Sequence, residues 1–328
     1  MDGVKEMERL YASWPTQILR GYKAGLEAGG VDQGRSIVFC GMGGSGVTGD
    51  IVGAVAEGYG ARVNVCKSQK PPAWLGPEDL VVGVSYSGNT LETLRCVRES
   101  LKRGASVAVI TSGGKLARLA QDQGLPLARV SEGFYPRTAM AEMVGAGLGL
   151  LSRAYGISGD IVEEASRRLE DLPVDMARNI AERLANAWIV GVVACGPMGI
   201  AARRIRSELA ENSKVLAREE VYPESGHNDI VSWQASQEAR PGFIMLYWPM
   251  DGWCTKLLSG LEPLYGELGP LAVVKIDSPS ILSAIMEASL VGGLASIYLA
   301  GLRGLDPRDT SLISRYKESL ARLEGSDG

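Results

Sequence analysis

The chain has 328 residues, 45% hydrophobic and 22% charged, the composition of a soluble globular protein long enough for two domains. Net charge is 34 − 38 = −4 with no run of Lys or Arg, so a nucleic-acid partner is not expected. Five cysteines stand singly at 40, 66, 96, 195 and 254, and His227 is the one histidine, so the thiols read as reduced and buried and a zinc site is not expected.

The first residues, Met1-Asp-Gly-Val-Lys-Glu-Met-Glu, lack the apolar core of a signal peptide, which points to a cytoplasmic protein. Leu10, Trp14, Ile18 and Tyr22 recur at helical spacing and predict an exposed leading helix. Short apolar strands then alternate with helices, at 36–40, 62–66, 80–85, 106–110 and 125–130. Helical, charge-rich sequence fills 137–186, after which the plan restarts. A strand at 188–194 ends in Cys195-Gly196-Pro197-Met198-Gly199, a helix runs to about Lys214, and strands follow at 243–247 and 271–276. Such alternation argues for a mainly parallel sheet flanked by helices, an α/β plan used twice. The expected division is a first domain over 1–152, a helical connection over 153–186 and a second domain over 187–328. Ile281–Leu302 has the length of a membrane span but carries Glu287 and ends at a glycine-rich turn; it reads as a buried helix, with no membrane partner.

Two strand-to-helix loops carry the functional argument. In Gly41-Met-Gly-Gly-Ser-Gly46 the glycines let backbone N–H groups approach an anion at a helix N-terminus. The string also fits GxGxxG, but a dinucleotide site wants an acid at the end of the second strand, and Lys67 follows Cys66 there. In Ser85-Tyr-Ser-Gly-Asn-Thr90 three hydroxyls surround Gly88, and Thr90 is placed as a helix N-cap. Either loop alone is equally well read as turn chemistry. Both at strand carboxyl ends of one sheet favour a phosphate.

These loops resemble the sugar isomerase (SIS) domain, whose glycine-rich first loop and Ser-x-Ser-Gly-x-Thr second loop bind phosphosugars. Glu211-Asn-Ser-Lys214, Ser225-Gly-His-Asn-Asp229, Tyr316-Lys317 and Phe134-Tyr-Pro-Arg137 extend the resemblance to the archaeal bifunctional phosphoglucose/phosphomannose isomerases, over nearly the whole chain. The resemblance implies two SIS-type α/β/α sandwich domains. It implies that Ser45, Ser85, Ser87, Thr90 and the backbone of Gly44 bind phosphate and that Glu211 moves a proton between C1 and C2. Under it, His227 assists ring opening, typically from the second subunit of a homodimer, while Lys317 helps at the ring oxygen and Arg137 stabilises the enediolate. Thr310 falls where a small hydroxyl residue is associated with room for a water and with turnover of mannose 6-phosphate. Neither metal nor cofactor is implied.

The residue types suit that chemistry. A carboxylate whose pKa is raised by burial can take a proton alpha to a carbonyl and return it one carbon away. Glu211 lies late on its predicted helix; Glu208, on much the same face, is its rival, and pairs Arg204–Glu208 and Glu211–Lys214 would also suit a plain surface helix. His227 is the only side chain whose unperturbed pKa lies near neutrality. Arg137, after Pro136, is placed at a helix start against the dipole. Thr310 and Lys317, seven apart, are expected two turns apart on one helix face. The expected activity is interconversion of fructose 6-phosphate with glucose 6-phosphate and mannose 6-phosphate. The alternatives are an isomerase for glucose 6-phosphate alone, a non-catalytic sugar-phosphate sensor and, after these, a nicotinamide dehydrogenase.

Overall fold

A computed structural model describes residues 2–235 and 237–325. Helices α1 (Asp2–Ala12) and α2 (Trp14–Glu27) lead into β1 (Ile37–Cys40), α3 (Gly43–Glu57), β2 (Val63–Cys66), β3 (Leu80–Val84), α4 (Leu91–Lys102), β4 (Ser106–Thr111), α5 (Gly114–Asp122) and β5 (Leu127–Arg129). Helices α6 (Met140–Tyr155), α7 (Asp160–Glu170) and α8 (Val174–Arg183) follow. The second half runs β6 (Ile189–Cys195), α9 (Gly199–Ser213), β7 (Leu216–Tyr222), β8 (Pro241–Tyr247), α10 (Gly252–Leu268), β9 (Leu271–Lys275), α11 (Ile281–Leu302) and α12 (Ser311–Gly325).

Every strand pairing is parallel, in the orders β2-β1-β3-β4-β5 and β7-β6-β8-β9. Apolar runs such as Leu80–Val84 and Pro241–Tyr247 are buried at every position, as strands covered on both faces require. Side chains still divide by period two. Ile37 and Phe39 of β1 and Val190 and Val192 of β6 share one core that joins the two halves. Val38 and Cys40 pack into a separate cluster under α4, and Val193 and Cys195 into another under α10.

The leading segment differs from its expected form. It breaks into two helices at Ser13, and Met7, Tyr11, Trp14 and Ile18 are fully buried. Helix α1 packs on α11, whereas α2 lies along α6 at backbone contact. A Cβ at Gly21 would sit 1.9 Å from the Glu142 carbonyl oxygen, and one at Gly145 would sit 2.0 Å from that of Ile18. Helix α11 is apolar enough to cross a membrane by length and composition, yet 83% of its most apolar window is buried inside the protein.

The reading of the cysteines as reduced is corrected. Cys40 pairs with Cys96 and Cys195 with Cys254 as disulfides, and Cys66 is a buried free thiol. Spacings of 56 and 59 residues carry no signal; the fold makes the pairs. In each half the first strand ends in a cysteine, and the helix after the neighbouring strand brings a second within reach. The Cα atoms are 6.5 and 5.5 Å apart, inside the range a disulfide spans.

Candidate active site

The Gly41–Gly46 loop turns directly from β1 into α3. Gly43 sits at φ 53°, a conformation that favours glycine, and begins the helix. No side chain caps α3, so no cap occupies the positive end of its dipole beside Gly44 and Ser45. The second loop meets the first: the Tyr86 N–H donates to Ser45 Oγ at 3.3 Å. Ser85 is buried and donates its hydroxyl to Thr90 Oγ1 at 2.9 Å, so Thr90 occupies the N-cap position of α4 without capping it. Ser87 is exposed at the tip. Gly88, at φ 65°, keeps the loop pressed on its neighbour, since a Cβ there would lie 1.8 Å from the Gly113 carbonyl oxygen.

The charged groups converge on the same edge. A Cβ at Gly44 would lie 3.4 Å from the Pro136 carbonyl oxygen and 3.7 Å from Arg204 Nη1. Arg137 is therefore next to the first loop, in the turn before α6 and not in the helix itself. Its guanidinium is buried and held on three sides. Nε donates to Asn212 Oδ1 at 2.8 Å, Nη1 to Glu211 Oε2 at 3.1 Å and Nη2 to the Pro307 carbonyl at 2.8 Å.

The two candidate glutamates part company. Glu208 is fully buried, ion-paired with Arg204, and accepts from Tyr11 at 2.6 Å and Asn212 at 2.7 Å. Glu211 keeps 30% of its side-chain surface open, with Arg137 as its ion-pair partner. Burial holds the Glu211 carboxyl above the ordinary glutamate range; Arg137 pulls it down, and Glu208 pushes it up again. That is the state of a base able to take and return a proton. Lys214, left-handed at φ 54°, donates Nζ to the carbonyls of Glu211, Asn212 and Asp306 and pins the end of α9 to the 306–310 segment.

The remaining candidates lie farther out. Thr310 is half-buried, three residues beyond the carbonyl that Arg137 grips, and precedes α12, so it does not share that helix with Lys317 as expected. Lys317 is exposed on α12. His227 ends a short turn, Glu224–His227, after the outer strand β7 and is exposed. Among the described residues no hydrogen bond or ion pair joins His227 or Lys317 to Glu211 or Arg137. At the end of β2, Lys67 is ion-paired with Asp50 of α3 at 2.6 Å, which leaves a cation where a dinucleotide ribose would need an acid.

The SIS domain family matches residues 32–128, and the bacterial phospho-glucose isomerase C-terminal SIS domain matches 174–320. The bifunctional phosphoglucose/phosphomannose isomerase of Aeropyrum pernix is 36% identical, over 96% of this chain and 98% of its own length. The chain belongs to the bifunctional phosphoglucose/phosphomannose isomerase family. The family's representative from Aquifex aeolicus is 30% identical over 88% of this chain and 91% of its own. Among solved structures, the C-terminal domain of glucosamine-fructose-6-phosphate aminotransferase from Francisella tularensis is similar with a TM-score of 0.72. That alignment is 16% identical and covers 93% of this chain and 96% of that one, a likeness of fold.

Within this isomerase-family chain the site includes groups the sequence reading left without a role. These are Asn212, the Lys214 ammonium, Arg204 with Tyr11, and the Pro307 carbonyl. Only Asn212 and Lys214 carried a signal, their adjacency to Glu211 in one motif. The others depend on contacts between residues more than 60 positions apart.

Proposed function

We propose that this protein interconverts fructose 6-phosphate with glucose 6-phosphate and mannose 6-phosphate, in the cytoplasm and without a metal. The observation that carries the reading is the partly open Glu211 carboxylate, 3.1 Å from Arg137, itself beside the Gly44 loop. A phosphate on the α3 N-terminus, with Ser45, Ser85, Ser87 and Thr90 around it, anchors one end of the sugar. Glu211 takes the proton from C2 or C1 and returns it to the neighbouring carbon, and Arg137 stabilises the enediolate oxygen as charge develops. Thr310 leaves room beside the reacting carbons for the second epimer.

Ring opening falls to His227 and Lys317. The exposure of both, on an edge loop and an outlying helix, supports a homodimer in which His227 reaches the site of the other subunit. Exposed Leu312 and Tyr316 on the same helix as Lys317 support that face as part of the contact.

A coupled assay of both aldose phosphates, with and without chelator, tests the reading. Turnover of both, unchanged by chelator, is expected. Turnover of glucose 6-phosphate alone restricts the substrate, and loss in chelator overturns the metal-free chemistry. If His227 acts only in ring opening, open-chain substrate partly restores His227→Ala; equal loss on both forms excludes that role.

A further inference from the structure

Asn212 is fully buried on the last turn of α9, next in the chain to Glu211. Its Oδ1 accepts from Arg137 Nε at 2.8 Å. Its Nδ2 faces three oxygens: Glu208 Oε2 at 2.7 Å, Ser296 Oγ at 2.8 Å and the Tyr11 hydroxyl at 3.3 Å. A guanidinium has only donors and a carboxylate only acceptors, so these neighbours permit one orientation of the amide. Turned over, it would set NH₂ against Arg137 and its oxygen against Glu208. Glu208 is itself fixed by Arg204, whose Nη2 also donates to the Arg137 carbonyl at 2.7 Å.

We propose that Asn212 is a positioning residue for the isomerisation, setting the rotation of the Arg137 guanidinium so that Nη1 faces Glu211 and the reacting carbons. The inference rests on the reading of Glu211 as base and Arg137 as enediolate partner. A guanidinium is planar, so contacts at Nε and at Nη2 fix its plane, and the Nη1 edge is what remains for Glu211 and a substrate oxygen. Without the acceptor at Nε the group keeps only the Pro307 carbonyl and Glu211 itself, and nothing apart from the base and one carbonyl sets its plane. The loss is then in the transition state, where charge must be met at a defined point, and not in ground-state grip, which belongs to the phosphate loops.

The experiment compares Asn212→Ala and Asn212→Asp with wild type and Glu211→Gln, all assayed for kcat and KM on fructose 6-phosphate after thermal melts to check folding. Alanine removes the acceptor; aspartate keeps an oxygen for Nε and gives up the donors to Glu208. For alanine, kcat is expected to fall on the order of 10- to 100-fold, the range of a misplaced catalytic group, with KM changed less than about threefold. The acid limb of its kcat profile should move to higher pH, because a loosened Arg137 no longer favours ionised Glu211 against burial and Glu208, and Arg204 alone is left to favour the ionised form. Aspartate should recover part of the loss. If alanine does not fold, Asn212→Ser, which keeps a hydroxyl on the same turn, is read against aspartate with the same expected split. Near-wild-type turnover by Glu211→Gln overturns the reading of the site and this proposal with it. Loss in Glu211→Gln together with unchanged kcat in Asn212→Ala, a loss confined to KM, or an aspartate variant no better than alanine, overturns the proposal alone.

Discussion

The two halves repeat one plan, strand, glycine turn and helix, and put it to opposite uses. In the first half the turn after β1 opens onto an uncapped helix N-terminus with Gly44 and Ser45 at its edge. In the second, the turn after β6 is Gly196-Pro197-Met198, in which proline has no N–H to offer and Met198 is buried. A Cβ on Gly196 would lie 3.4 Å from an Asp251 carboxylate oxygen, so the anion position already faces a negative charge. The start of the second helix is thus poorly suited to a phosphate, and in the proposed reaction that helix contributes from its end, through Glu211 and Asn212. On the proposed reading, duplicated architecture divides grip from chemistry.

That division can be broken at several points. The largest effect is expected from Glu211→Gln: kcat falls by about 10³-fold, the span of a lost general base, while KM stays within a few-fold. A rise in KM of similar size would sink the separation of roles. Ser85→Ala, in the gripping half, should do the reverse, raising KM roughly 10- to 100-fold for a lost hydrogen bond to a charged group, with kcat little changed. Arg137→Gln sharpens the junction between the halves. Glu211 must be ionised to act, and with Arg137 gone burial and Glu208 oppose ionisation, so the acid limb of kcat moves to higher pH. Movement to lower pH would mean that another group titrates. The smallest effect on turnover is expected from the disulfides. Removing Cys40–Cys96 or Cys195–Cys254 as serine pairs should cost about 4 kcal/mol each in denaturant unfolding, alike because the bridged spans are alike. Unequal losses would show that one half is strapped for more than stability.

Much of this was legible in the sequence, and the gaps have physical causes. Apolar runs such as Leu80–Val84 announce buried parallel strands, and the glycine turns announce where each helix begins. Strand β7 escaped because Arg218, Glu219 and Glu220 interrupt its apolar pattern, as an edge position allows. Glu220 is nonetheless buried, accepting from Trp233 at 2.6 Å and from Tyr265, a network no local pattern contains. The burial of Tyr11 and Trp14 was missed because helical spacing marks a face without naming what covers it. The preference for Glu211 over Glu208 came from resemblance. Geometry adds that both Glu208 oxygens are engaged by Arg204, Tyr11 and Asn212, while Glu211 stays open.

The three grips on Arg137 also bear on how the molecule moves. The arginine belongs to the first half, yet its acceptors are Glu211, Asn212 and the Pro307 carbonyl. A hinge that parted the halves would strip a buried cation of every acceptor at once, at a cost of several kcal/mol. Breathing of the cleft is thus held below the reach of a hydrogen bond. In the proposed reaction a sugar would reach Glu211 from its open side, past a frame that stays shut.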